Sequence, residues 1–272
     1  MIRLRPRLPA RVSRNNPMPH QKPELPASGT PYVSVVVPMH NEAGNTEPLI
    51  TEIAAVLAGT NFEIVVVDDG SSDDTAAELD RARERCPDLR VVRHLRQSGQ
   101  SLALITGVKA AQGSWIATLD GDGQNDPNDI PKLLAAAEAH GTTPILIAGF
   151  RRNRRDSLAK RWGSHFANGI RAKLLGDGTP DTGCGLKVFR REDFLSVPHF
   201  DHMHRFLPAL FLRHGGHVVS VEVNHRPRTR GRSHYGSLDR LAVGIVDLAG
   251  VWWLKRRWSR PDVASNQPGH AE

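Results

Sequence analysis

The amino-acid sequence predicts an α/β fold with a mostly parallel central sheet flanked by helices. Three features lead there. Apolar, β-branched runs of strand length recur through the first 150 residues. Segments with apolar residues at helical spacing separate them, giving units of roughly 25–30 residues. The strand runs are continuous rather than alternating, as in strands buried on both faces.

The elements follow in order. Residues 33–37 form the first strand. Residues 46–58 place Leu49, Ile53, Val56 and Leu57 on one helical face, with Thr46 near the start. Residues 62–67 are a second strand, closed by Asp68-Asp69-Gly70-Ser71. A helix over 72–85, a strand over 89–94 and a helix over 100–111 follow. The strand 115–119 ends in Asp120-Gly121-Asp122. A helix after Pro127 and a strand over 145–148 complete the first half. Beyond residue 150 the spacing predicts a basic helix over 156–175, a strand over 187–190, a helix over 204–214 and a strand over 217–223. Residues 224–236 read as a basic loop. A last helix, 237–258, carries Leu238, Leu241, Ile245, Leu248 and Trp252 on one face. No internal repeat is present.

Composition narrows the function classes. Of 272 residues, 39% are hydrophobic and 24% charged, which suits a globular chain with a sizeable core. The formal charge is +7, which points to an anionic partner. Most of that excess lies in the Pro-rich segment 1–30, where Arg3, Arg5, Arg7, Arg11, Arg14 and Lys22 face Glu24 alone. Such a segment reads as a disordered tail. Two cysteines, Cys86 and Cys184, exclude a disulfide scaffold. No run approaches the ~20 apolar residues of a membrane span, and residues 1–30 lack the apolar core of a signal peptide. The expectation is a cytoplasmic chain.

The chemistry is expected at the carboxyl ends of the strands, where open α/β sheets bind ligands. Acids stand at two of those ends: Asp68 with Asp69, and Asp120 with Asp122, followed by Gln124 and Asp126. An Asp-x-Asp in a glycine-containing turn aims hard oxygen donors at one point, where Mg²⁺ or Mn²⁺ would neutralise a diphosphate. By itself such a turn is weak evidence, since Asp and Gly are common turn residues. No G-x-G-x-x-G and no G-x-x-x-x-G-K-[ST] is present, which argues against a dinucleotide oxidoreductase or a P-loop NTPase. The histidines and cysteines show no zinc spacing.

Six segments in order then carry a resemblance. They are Val35-Val36-Val37-Pro38-Met39-His40-Asn41-Glu42, Val66-Val67-Asp68-Asp69-Gly70-Ser71-Ser72-Asp73, residues 97–103, Leu119-Asp120-Gly121-Asp122-Gly123-Gln124-Asn125-Asp126-Pro127, Asp181-Thr182-Gly183-Cys184-Gly185-Leu186-Lys187, and Arg228-Thr229-Arg230-Gly231-Arg232-Ser233-His234-Tyr235. Over roughly 32–240 the chain resembles family 2 glycosyltransferases of the GT-A fold, and more narrowly the polyprenyl-phosphate, dolichol-phosphate mannose synthase-like members. The resemblance implies a GT-A domain over 31–236, with a donor and metal half (31–126) and an acceptor half (127–236). It implies that Pro38, His40, Asn41 and Glu42 line the nucleotide pocket and that Asp68 and Asp69 contact base and ribose. Asp120, Asp122 and Gln124 would hold Mg²⁺ or Mn²⁺, while Arg151 and Arg228 would grip phosphate. Asp181 would orient the acceptor or an arginine, or else cap a turn. His234 stands where the family usually has Lys, and the membrane helices common in the family are missing from this chain.

The residues support the same chemistry. A lipid phosphate is already ionised near neutral pH and needs cationic positioning more than a general base. Arg151, Arg152, Arg154, Arg155, Lys160, Arg161, Arg226, Arg228, Arg230 and Arg232 supply that charge. The segment 237–260, with Trp252, Trp253 and Trp258 beside Lys255, Arg256, Arg257 and Arg260, reads as an interfacial helix, and 261–272 as a tail. The alternatives for that helix are a core element or a dimer surface. The expected partners are a nucleotide-sugar donor, polyprenyl phosphate and the inner face of the cell membrane, with no nucleic acid. Two other functions stay open: a family 2 transferase acting on a glycan or lipid A, and a non-catalytic nucleotide-sugar or membrane-binding module. The Gln-x-x-Arg-Trp of the polymerising members is not found.

Overall fold

The structure, a computed structural model, describes residues 29–227 except 142, 153–168 and 170, and residues 237–257, with only the backbone for 237–242. The tail 1–28, most of the basic segment 156–170 and the loop 228–236 lie outside the described residues.

Seven strands form one sheet in the order β3-β2-β1-β4-β6-β5-β7. They are β1 Val33–Met39, β2 Phe62–Asp68, β3 Leu89–Arg93, β4 Trp115–Thr118, β5 Ile145–Phe150, β6 Lys187–Arg190 and β7 His217–Glu222. The β1–β2, β2–β3, β1–β4 and β5–β7 pairs are parallel. Only β6 runs antiparallel, to both β4 and β5.

The β-branched runs alternate between two cores, as a two-fold strand period requires. Val33, Val35, Val37, Ile64 and Val66 face one side, against α1 (Thr46–Val56), α2 (Thr75–Arg85) and α4 (Ile130–Glu138). Val36, Val65, Ile116, Leu146 and Phe189 face the other, against α3 (Gln100–Ala110) and the helices Arg191–Ser196 and Leu207–Arg213. Covering both faces is what allows the parallel strands to be apolar throughout.

Several elements differ from the sequence expectation. The second helix starts at Thr75 rather than 72, because Asp73 turns its Oδ1 onto the Thr75 amide at 3.0 Å. The expected helix over 204–214 is two pieces, a 3₁₀ turn at Met203–Arg205 and the helix Leu207–Arg213, with Pro208 resetting the start. The short helix Arg191–Ser196 was not anticipated. The C-terminal helix Ser237–Arg256 docks through Val251, with Leu248, Trp252 and Leu254 beside it. Its expected apolar stripe is not uniformly buried: Ile245 is 60% exposed. Arg213 Nε donates to Leu254 O, and Lys255 Nζ to Leu175 O. Among the described residues no helix is long and apolar enough to cross a membrane.

Candidate active site

The strand order reverses at β1, which has β2 on one side and β4 on the other. That is the point where an open sheet leaves a crevice at its carboxyl edge. A cavity of about 470 Å³ opens there, lined by Pro38, Asp120, Gln124, Arg151, Lys187 and His204 among others.

The direction of β6 explains how the second half joins the site. Running antiparallel, β6 starts at the edge where β4 and β5 end, and Lys187 is level with Thr118 and Ala148. The turn 181–185 is therefore delivered to the cavity, and Thr182, Gly183, Cys184 and Gly185 line it. Gly185 lies against the acid that follows β4, where a Cβ would stand 2.3 Å from Asp120 Oδ2. Only glycine lets the turn and the carboxylate share that space.

Asp120 accepts from Gln100 Nε2 at 2.8 Å. Its carboxyl is pushed up to about 6, first by desolvation and then by the neighbouring Asp122 charge, against the pull of Lys187 and Arg151. Asp122 Oδ1 receives the Gln124 amide at 3.1 Å, which closes the turn. Among the described residues no three His, Cys, Asp or Glu side chains cluster to hold a metal. The donor set is two carboxylates and one amide oxygen. Mg²⁺ and Mn²⁺ suit such a set, since Mg²⁺ keeps waters and takes substrate phosphates as further ligands. The crowded negative charge at Asp120 and Asp122 fits a divalent cation there.

Arg151 and Asp181 form a buried, two-bond ion pair at the site. Nε donates to Oδ2 at 2.7 Å and Nη2 to Oδ1 at 3.0 Å, with side chains only 9% and 7% exposed. Asp181 therefore fixes the guanidinium beside the cavity. Lys187 is buried, donates to Cys184 O and has its ammonium pKa lowered by desolvation.

The remaining expected residues lie in two loops stitched together at the ends of β1 and β2. His40 Nδ1 meets Asp69 O at 2.9 Å, Asn41 Oδ1 accepts from Ser72 N at 2.8 Å, and Glu42 N donates to Thr75 Oγ1 at 2.8 Å. Asn41 takes a positive φ of 56° to make that turn. Asp68 accepts from Ser71 N at 3.0 Å. The carboxylate of Asp69 receives Ser98 N, Gly99 N and His94 Nδ1 at 2.7–2.8 Å, and so anchors the 94–99 loop. Of the residues expected at the nucleotide end, Pro38 lines the cavity, and His40, Asn41, Glu42, Asp68 and Asp69 are not among its lining. Arg228 lies outside the described residues.

One contact of the site had no sequence signal, and it corrects the reading of Arg226 as a phosphate-positioning cation, because two carboxylates occupy its guanidinium. Arg226 donates to both oxygens of Glu52, at 2.7 and 2.6 Å, and to Asp126 Oδ1 at 2.6 Å. Its backbone N donates to Gln124 O at 3.0 Å, and Asn224 Nδ2 donates to Asp126 Oδ2 at 2.9 Å. The Asp-x-Asp loop is thus clamped to the segment that leads into the basic loop. Glu52 is 174 positions from Arg226, and no local pattern links them.

Residues 34–197 match the family model described as "Glycosyl transferase family 2". The chain belongs to glycosyl transferase family 2. As a member it is a glycosyltransferase. Among curated family relatives, it is 35% identical over 236 residues to a dodecaprenyl-phosphate galacturonate synthase of Rhizobium johnstonii, covering 84% of this chain and 69% of that protein. It is 36% identical over 220 residues to an undecaprenyl-phosphate 4-deoxy-4-formamido-L-arabinose transferase of Pseudomonas paraeruginosa, covering 79% of this chain and 63% of that protein. A solved structure of glucosyl-3-phosphoglycerate synthase from Mycobacterium tuberculosis, in complex with Mn²⁺, UDP and glucosyl-3-phosphoglycerate, superposes with a TM-score of 0.61 at 21% identity, covering 84% of this chain and 80% of that one. At that identity the likeness shows the fold, which is GT-A.

Proposed function

We propose that this glycosyltransferase moves a sugar from a nucleotide-sugar donor to polyprenyl phosphate, with inversion, at the inner face of the cell membrane. The observation that carries this reading is the single cavity in which Asp120 and Gln124 share walls with Arg151 and Lys187. One side suits a diphosphate with its cation and the other a second phosphate. The relatives, named for dodecaprenyl phosphate and undecaprenyl phosphate, support the acceptor class.

Asp120, Asp122 and Gln124 would hold Mg²⁺ or Mn²⁺, as the metal-bearing structure of the fold neighbour supports. When bound, that cation supplies charge to offset the departing nucleoside diphosphate. Pro38, His40, Asn41, Glu42, Asp68 and Asp69 form the nucleotide end. Arg151, aimed by Asp181, and Arg228 position the acceptor phosphate. That phosphate oxygen bonds to the anomeric carbon as the diphosphate leaves from the opposite face with the bonding electron pair. An ionised phosphate needs no proton removed, so no side chain is required as a strong base. The C-terminal helix supports a membrane-surface encounter. Arg256 lies over Trp252 at 3.7 Å and Arg257 over Trp253 at 5.8 Å, with Ile245 and Val246 exposed nearby on the same helix.

Incubating the enzyme with Mn²⁺, polyprenyl phosphate vesicles and radiolabelled UDP- and GDP-sugars tests the reading. Label should enter a lipid phosphodiester. Label in a glycan, in lipid A or in a small phosphate with the polyprenol unlabelled would replace the acceptor assignment. Nucleotide-sugar binding without turnover would favour a non-catalytic module.

A further inference from the structure

His204 lines the cavity but has no part in the phosphate chemistry above. It packs on the first turn of α3, where consecutive residues reach two parts of the site. Gln100 touches Asp120, and Ser101 touches His204. A group attached to a diphosphate held at Asp120 is therefore close to the His204 ring.

Ser101 sets the proton on that ring. Its hydroxyl has one proton to give. Ser101 Oγ accepts from the His204 backbone N–H at 3.2 Å and lies 2.7 Å from His204 Nδ1. Among the described residues Nδ1 is the one acceptor within reach of that hydroxyl, and a buried hydroxyl proton left without an acceptor is costly, so the proton goes to Nδ1. Ser101 is 2% exposed, so water does not compete for that contact. Burial pushes the imidazole down to about 3, which keeps it neutral. A neutral ring that accepts at Nδ1 carries its proton on Nε2. Among the described residues none bonds Nε2, on the opposite edge of the ring.

We infer that His204 is a sugar-binding residue: its Nε2–H donates a hydrogen bond to an oxygen of the transferred sugar, and Ser101 is the positioning residue that fixes this tautomer. The inference rests on the nucleotide-sugar reading of the cavity. It also excludes two other roles for His204. With the proton on Nε2 the ring offers the cavity no lone pair, so it is neither a base for the acceptor nor a metal ligand.

Calorimetric binding of UDP, GDP and a panel of UDP- and GDP-sugars, with Mn²⁺ present, tests it on wild type, His204→Phe, His204→Gln and Ser101→Ala. His204→Phe should weaken the sugar-bearing ligand by about tenfold while leaving the parent UDP or GDP within about twofold. The Gln amide N–H, placed near Nε2, should recover most of the loss. Ser101→Ala should raise the donor KM more than it lowers kcat. Equal weakening of the sugar-free nucleotide, or no weakening of either, would overturn the inference. If wild type binds none of the nucleotides or sugars, the nucleotide-sugar reading fails and this inference falls with it. Should the variants not fold, ¹⁵N NMR of the wild-type imidazoles decides. The inference expects His204 to be unprotonated at Nδ1 at both pH 7 and pH 5, and protonation there would refute it.

Discussion

Asp181 acts in this structure by holding Arg151, and a double-mutant cycle measures how strongly. The pair has two charge-assisted bonds, at 2.7 and 3.0 Å, between side chains less than a tenth exposed. Removing either partner leaves the other charge buried without this ion pair, which costs about 3–5 kcal/mol. Arg151→Met and Asp181→Asn should each approach the lower end, because Met fills much of the space and Asn keeps one acceptor. With a urea dependence of about 2 kcal/mol per molar, a loss of about 3 kcal/mol moves the unfolding midpoint by about 1.5 M. The double variant should recover about 2 kcal/mol relative to the sum of the singles. Urea denaturation followed by circular dichroism reads all four proteins. Single losses below about 1 kcal/mol that add without coupling would show that Asp181 does not fix Arg151.

Three further outcomes follow from the same geometry. Gly185→Ala puts a methyl group 2.3 Å from Asp120 Oδ2 and should cut turnover by about a hundredfold or more, with an unchanged circular dichroism spectrum. Arg226→Ala releases the Asp-x-Asp loop from Glu52 and Asp126. It should weaken Mn²⁺ binding, read by electron paramagnetic resonance, by about tenfold, and Arg226→Lys should not restore it because the bidentate contact is lost. His204 gives a pH signature in stability. Its folded value of about 3 lies below the ordinary 6.5, so between those values the unfolded chain binds a proton that the folded chain does not. Stability contributed by neutral His204 is therefore present above pH 6.5 and is lost as the pH falls towards 3, by about 2 kcal/mol at pH 5. His204→Gln should remove that part of the slope in urea titrations at pH 7 and pH 5.

Much of the fold was legible because doubly covered parallel strands write themselves as unbroken apolar runs. The residues after such runs, Asp68, Asp69, Asp120 and Asp122, were placed at the carboxyl edge by that reading alone. What stayed hidden was long-range. Residues 187–190 read as a strand, but no local period encodes its direction, and direction is what brings Asp181, Gly185 and Lys187 to Asp120. The clamp of Arg226 on Glu52 joins a late loop to an early helix, and neither neighbourhood announces the other. The part Asp69 plays in holding the 94–99 loop, through three donors to its carboxylate, was also not legible locally. The Ser101–His204 contact spans 103 positions and appears only once α3 and the 203–205 turn meet.

The most direct test of the account is transfer of a labelled sugar to polyprenyl phosphate by wild type and by Asp122→Ala, with Mn²⁺ present and then chelated. The account predicts a labelled, mild-acid-labile lipid from wild type alone, which disappears on chelation. Lipid labelling that survives both Asp122→Ala and chelation, or label that reaches only a water-soluble acceptor, would contradict it.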